Sequence, residues 1–171
     1  MLFRSSIRFP AAVCGVVGVK ATHGLASIRG IVPLSELHDH VGPLARSVAD
    51  AALVMTALAG FDPDDPVSIR AEAEDYHAAI GNPVGQLRIG TPREPFFMDL
   101  NAEIAAATER ALGVLRGIVA SVTDVVLPPL DTFAVLSGEI YEYHAPIVAD
   151  EAKRSLYKPI TLQRIMNDAR S

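Results

Sequence analysis

Ser5-Ser6-Ile7-Arg8-Phe9-Pro10-Ala11-Ala12-Val13-Cys14-Gly15-Val16-Val17-Gly18-Val19-Lys20 is the stretch on which the fold of this chain turns. Pro10 can open a short helical turn, because its missing N–H has no partner to lose there. Gly15 is placed to end that turn, and Val16 to Lys20 reads as a short apolar strand. Ser6, taken alone, is a polar residue near the start of the sequence, where fraying is the ordinary expectation. Its hydroxyl is a weak nucleophile unless a base lies within hydrogen-bond reach.

Outward from this stretch, Thr22 to Asp39 reads as loop, with turn positions at His23-Gly24 and Arg29-Gly30. Ser47 is placed to cap a helix in which Val48, Ala51, Ala52, Met55, Leu58 and Ala59 recur at helical spacing, and Gly60 follows at the C-terminal cap position. Leu53 and Val54 are apolar as well, so this helix is expected to be buried on most sides. Phe61 to Asp75 holds six acidic residues and two prolines and reads as a solvated connection. Leu87 to Pro92 is a strand stopped by proline. A helix from about Ala102 to Ile118 follows, with Asn101 or Asp99 as cap. Ser121 to Leu127 is a further strand, and helices are expected near Asp131 to Glu151 and Ile160 to Ala169. The alternation of strand and helix predicts an α/β sheet with helices packed on it.

The 171 residues fit one domain, and with half of them hydrophobic and a net charge of -5 the chain is not of a disordered composition. With no Trp, four Tyr and six Phe, the interior should be rich in Ala, Val and Leu, or apolar surface normally covered by more polypeptide is left bare. Lys and Arg are scattered singly on a mildly acidic chain, which gives no footprint for nucleic acid. The single cysteine, Cys14, excludes an intrachain disulfide and a multi-cysteine metal site, and its apolar neighbours predict an inert buried thiol. Met1-Leu2-Phe3-Arg4 followed by an apolar run imitates a secretion signal. Pro10, Gly15 and Gly18 interrupt that run and no small-x-small cleavage site follows it, and no window is long and apolar enough for a membrane. His38-Asp39-His40, with His23, lacks a third ligand at motif spacing, so no metal is expected.

Residues 5–20 resemble the segment that carries the nucleophilic serine in amidase-signature enzymes. That segment reads approximately Asp-Thr-Gly-Gly-Ser-Ile-Arg-x-Pro-Ala, then small residues and Gly-Val-Val-Gly-x-Lys. Val41-Gly42-Pro43-Leu44-Ala45-Arg46-Ser47-Val48-Ala49-Asp50-Ala51-Ala52 is similar to the family's next block, and Leu58 to Pro66 to its Ala-Gly-x-Asp-Pro-x-Asp segment. Leu87 to Glu94 and the helix behind it resemble the following βα unit. The resemblance implies an α/β fold with a mixed β-sheet core flanked by helices. It also implies a single incomplete domain over 1–171, its N-terminal portion missing. Residues 6–66 would be the nucleophile-side core, 67–86 a connection, and 87–171 a β-α-β unit plus C-terminal helices.

The same resemblance implies hydrolysis of carboxylic amides through an acyl-serine, with a lysine as base and a cis-peptide serine as relay. Ser6 falls at the nucleophile position, Arg8 at a support of the nucleophile turn, and Ser5 at an altered position of the oxyanion turn. Leu2, Phe3, Arg4 and Ser5 stand where the family has Asp-Thr-Gly-Gly. The base and relay precede this segment in family sequence, and Lys20 matches a later lysine, so the 171 residues alone are expected to be inactive. The alternative is a non-catalytic remnant, or half of a split amidase or amidotransferase that serves as a partner protein. Asp39 fits the aspartate of a Leu-Asp-x-x-Gly-Pro loop, and Arg46 and Asp50 are spaced to pair. Tyr143 and His144 lie on a helix that often lines the acyl pocket. A small amide substrate, no cofactor, a cytoplasmic location, and a complementing chain or homo-oligomer complete the expectation, with sheet edges left open to aggregation.

Overall fold

The computed structural model describes residues 6–72, 74–128 and 133–168. In chain order the elements are α1 (Arg8–Cys14), β1 (Val17–Gly18), β2 (Leu44–Ala45), α2 (Val48–Leu58), β3 (Arg88–Thr91), α3 (Arg93–Phe96), α4 (Ala102–Arg116), β4 (Ser121–Asp124), α5 (Phe133–Ala149), α6 (Glu151–Arg154) and α7 (Pro159–Asp168). The chain is an α/β protein, as its sequence predicts. It divides into two compact units, residues 1–80 with 131–171, and residues 81–130.

In the first unit, α1 ends where Gly15 takes a left-handed conformation, φ 65°, which a residue without Cβ adopts at no steric cost. The chain then reverses into β1, which pairs antiparallel with β2, Val17 opposite Ala45 and Gly18 opposite Leu44. The strand is shorter than the apolar run Val16 to Lys20, because only Val17 and Gly18 find a ladder partner. A Cβ on Gly18 would lie 2.6 Å from the Ala11 Cβ and 3.0 Å from the Ile7 carbonyl oxygen. Glycine here lets β1 lie directly against α1. Ile7 and Ala11 are buried beneath it.

Helix α2 starts where expected, with Ser47 Oγ accepting from Asp50 N, but it ends on Ala59 in extended conformation rather than on Gly60. The expected burial is not found. Only Ala51 and Met55 are buried, while Val48, Leu53 and Val54 are exposed, since no described residue covers those faces. Asp50 pairs with the Ser47 hydroxyl at 2.8 Å, and no ion pair with Arg46 forms among the described residues. Cys14 is exposed, contrary to expectation. It lies on the same helical stripe as Ile7 and Ala11 but at the last residue of α1, past the part that β1 covers.

The acidic stretch is not simply solvated. Asp65 is buried, its carboxylate accepting from Ile28 N at 2.8 Å and Val67 N at 3.0 Å. Asp62 accepts from Ser27 Oγ at 2.7 Å and Asp64 N at 3.0 Å. These bonds hold segment 62–69 against 24–28, with Ile69 N donating to Gly24 O at 2.9 Å. Asp131 and Thr132, at the start of the next expected helix, lie outside the described residues, as does Ala169 at the end of the last. Helix α5 carries Pro146 within it, and Val148 of α5 and Ile165 of α7 are buried.

The second unit is a β-α-β crossover. Strands β3 and β4 pair in parallel, Arg88 opposite Ser121 through Thr91 opposite Asp124, and parallel strands require a long connection, which α4 supplies. Asn101 caps α4 by accepting from Glu103 N, and Leu112 is its buried residue. Beyond Asp124 the expected strand does not continue. Thr91 Oγ1 donates to Asp124 at 2.6 Å, and Arg93 Nε donates to the same carboxylate at 2.9 Å while pairing with Glu109.

Candidate active site

Ser6 lies two residues ahead of α1, with buried Ile7 between them. Ser6 itself is exposed and borders a cavity of about 220 Å3. One wall is aliphatic, from Ile28, Ile31, Val32 and Leu34, and the other carries Lys20, His38, Asp39 and His40. The β1–β2 register explains how residues twenty apart meet. Gly18 faces Leu44, and just beyond the ladder Val19 N donates to Pro43 O at 3.1 Å, which brings the residues after Val19 towards those before Pro43.

There, Lys20 Nζ lies 2.9 Å from His40 Nε2 and donates to Ala21 O at 3.1 Å. His40 Nδ1 lies 2.7 Å from the His38 carbonyl oxygen, which can only accept, so Nδ1 carries the ring proton and Nε2 takes a hydrogen from Lys20. Burial, aided by the nearby Arg8 guanidinium, lowers the Lys20 pKa. Burial also lowers that of His40, with Lys20 and His23 adding to the effect, while the bond to His38 and the Asp39 charge oppose it. His23 meets His40 edge to face, with ring centroids 5.2 Å apart.

The loop that carries these groups is tied down by two carboxylates. Asp39 accepts from Leu34 N at 2.8 Å and Ser35 N at 3.2 Å, closing a turn. Ser35, only 2% exposed, donates to Glu139 of α5, and His38 Nδ1 lies 2.8 Å from Ser35 Oγ and 3.3 Å from Glu139. This serine, histidine and carboxylate do not form a nucleophilic triad. Hydroxyl and carboxylate meet the same ring nitrogen, whereas a triad uses both, and the serine is buried. Sequence reading missed Ser35 and Glu139. They are about a hundred positions apart, and no spacing announces them.

Of the other expected site residues, Ser5 lies outside the described residues. Arg8 is exposed at the first position of α1. Tyr143 borders a different cavity, of about 280 Å3, with Pro33, Ser35, Glu36, Glu139 and Glu142. His144 lies with its Nδ1 2.7 Å from the Tyr157 hydroxyl, and burial lowers its pKa. Neither joins the cavity that holds Ser6. A recess of about 600 Å3, bordered by Leu25, Val48, Met55, Ile69 and Tyr76, does not include Ser6.

The amidase family model matches residues 5–169, and the chain belongs to the amidase-signature family. It is 46% identical over 123 residues to a glutamyl-tRNA(Gln) amidotransferase subunit of Desulfotalea psychrophila, covering 72% of this chain and 25% of that protein. The corresponding subunit from Nitrosospira multiformis is 39% identical over 144 residues, covering 84% and 29%. The chain thus spans little more than a quarter of the length of these curated relatives. Among solved structures, the same amidotransferase subunit from Thermotoga maritima superposes with a TM-score of 0.76 at 26% identity, covering 97% of this chain and 36% of that one. A structure described as a vestigial protein complex that reveals the origins of an s-triazine catabolic enzyme gives 0.85 at 28%, with the same coverage. Among the described residues no helix is long and apolar enough to cross a membrane.

Proposed function

We propose that this chain supplies the nucleophile of a carboxylic-amide hydrolase, with Ser6 Oγ attacking the amide carbonyl. The Oγ–C bond forms as the hydroxyl proton passes to a base. The C–N bond then breaks, the leaving nitrogen takes that proton, and water cleaves the acyl-serine. The observation that carries this reading is the coincidence of two features at Ser6, the family's nucleophile segment and a cavity with a polar and an aliphatic wall. Arg8 supports the turn. Tyr143 and His144 contribute to the acyl side only in an assembly that joins their surfaces to this cavity.

The 171-residue polypeptide alone does not turn over amides. Leu2-Phe3-Arg4-Ser5 stands in place of the glycine turn. Loss of one oxyanion donor costs about 100- to 1,000-fold in rate, and a serine hydroxyl without a base within reach stays unactivated. A complementing polypeptide that brings lysine, cis-serine and glycine turn restores the site. The relatives' designation as amidotransferase subunits favours assembly with further subunits and ammonia transfer as the overall reaction. The second reading, a non-catalytic partner protein, is favoured by the four altered residues before Ser6. A cytoplasmic location fits both.

A fluorophosphonate probe tests the proposal. The isolated chain should show neither labelling at Ser6 nor hydrolysis of glutamine or propionamide. Co-expression with the preceding portion of the Thermotoga maritima amidotransferase subunit should restore labelling, and Ser6→Ala should abolish it. Labelling of Ser6 in the isolated chain refutes the dependence, and labelling of the complemented chain that survives Ser6→Ala refutes the nucleophile.

A further inference from the structure

Lys20 is absorbed by none of the steps above, yet it shares the cavity of Ser6. Among the described residues none of the ion pairs includes it, so its charge has hydrogen-bond acceptors but no carboxylate. His40 Nε2 and Ala21 O take two of the three ammonium hydrogens and fix where the third points. The other charged and titratable groups nearby do not neutralise it. Arg8 repels it, His40 and His23 are imidazoles, and the Asp39 carboxylate, which borders the same cavity and accepts from Leu34 N and Ser35 N, makes no ion pair with it among the described residues. His38, which also borders the cavity, is held on the Ser35 and Glu139 side. With no carboxylate paired to Lys20, its third ammonium hydrogen is left for an anion, and a charge-assisted hydrogen bond gains strength in a partly buried cavity.

We infer that Lys20, held by His40, is an anion subsite of the Ser6 cavity that takes the carboxylate of a small aliphatic amide. The acyl chain would lie along Ile28, Ile31 and Val32, and the amide would be presented to Ser6. This rests on the nucleophile reading given above and narrows it to amides that also carry a carboxylate. A carboxylate matches one ammonium, whereas a phosphate dianion calls for a cluster of donors that this wall does not have. Lys20 is in this sense a specificity-determining residue, and His40 a positioning residue acting through it. The subsite empties of charge as pH rises through the lowered Lys20 pKa, so anion affinity falls on that side.

The test is a titration of the full chain, followed by backbone amide NMR shifts at Ala21 and His40. The probes are succinamate, its neutral isostere succinamide, and inorganic phosphate. Succinamate should bind the native chain, and Lys20→Met should weaken it about tenfold or more, the worth of one charge-assisted bond. Succinamide should change less than about twofold, and Lys20→Arg should restore part of the loss. His40→Gln, a milder change, should weaken succinamate and leave succinamide alone. Equal binding of the two amides, an unchanged affinity in Lys20→Met, tighter binding of phosphate, or no binding of succinamate each overturns the inference. Catalysis surviving Ser6→Ala in the complemented protein would sink the nucleophile reading, whereas the subsite stands or falls on the Lys20→Met comparison of succinamate with succinamide.

Discussion

The contact of β1 with α1 can be probed at one atom. In Gly18→Ala the new methyl would meet the Ala11 Cβ at 2.6 Å and the Ile7 carbonyl at 3.0 Å, where carbon atoms normally sit about 3.5–4.0 Å apart. Neither neighbour is the far end of a flexible side chain, so α1 or β1 must move by about 1 Å. Overpacking costs about 1–3 kcal/mol, and a site with nothing to yield belongs in the upper half of that range. Alanine recovers about 0.4–1 kcal/mol by restricting the unfolded chain, leaving a net loss of about 1–2.5 kcal/mol. For a chain of this length each kcal/mol lowers the melting temperature by roughly 2–4 °C. The control is Gly113→Ala in α4, where no atom lies within 4 Å of the added methyl. There the same substitution should stabilise by about 0.5–1 kcal/mol through helix propensity. Thermal unfolding followed by far-UV circular dichroism reads both. A Gly18→Ala midpoint at or above the native one, or a shift of the same sign in both variants, would refute the packing argument.

The remaining predictions concern pH. Hydrogen bonds from Ile28 N foremost, then Val67 N and Ser27, hold Asp65 below the ordinary aspartate value of 3.8. A carboxylate with a depressed folded pKa stabilises above its unfolded pKa and loses that stability as pH falls through the folded one. Acid unfolding below about pH 4 should therefore be blunted in Asp65→Asn, measured as the slope of the urea midpoint against pH, and an unchanged slope counts against the anchor. His40 has a lowered pKa through burial. Between its folded value and the ordinary 6.5 the unfolded chain binds more protons, so stability should fall as pH drops below about 6.5. His40→Gln should flatten that limb, with His144 accounting for part of what is left. A limb as steep as in the native chain would remove His40 from the cause.

What could be read from sequence was local. Ser47 and Asn101 announced helix starts because capping depends on a side chain and amides two or three residues away, and Gly15 announced a helix end for the same reason. Ser6 was legible only through family resemblance, since one serine has no periodicity. The contacts of Lys20 with His40 and of Ser35 and His38 with Glu139 were not legible. They depend on the β1–β2 register and on where α5 meets the 34–40 loop, which no spacing encodes. The burial of Asp65 was hidden because an acidic run on a loop and a carboxylate that closes a loop have the same composition. The exposed faces of α2 mark the opposite failure. Apolar periodicity reports what a helix is built to bury, and only packing decides whether it does.

These differences share a physical cause. The first unit has few fully buried apolar side chains, among them Ile7, Ala11, Ala26, Ala51 and Met55, and the loops around Ser6 are fixed mainly by carboxylates accepting from backbone N–H groups. Such anchors impose direction, which burial alone does not, so they can hold a cavity wall in place where apolar packing is sparse. Asp39 closes the turn that presents His40, Asp65 holds the segment next to Ile28, and Glu139 fastens Ser35 and His38. Each anchor holds part of the cavity wall, Ile28 included, and none acts on Ser6 itself. Replacing any of them by its amide should therefore loosen the site without removing a reacting group. In the complemented protein that is a rise in KM or a fall in Ser6 labelling rate for Asp39→Asn, against complete loss for Ser6→Ala.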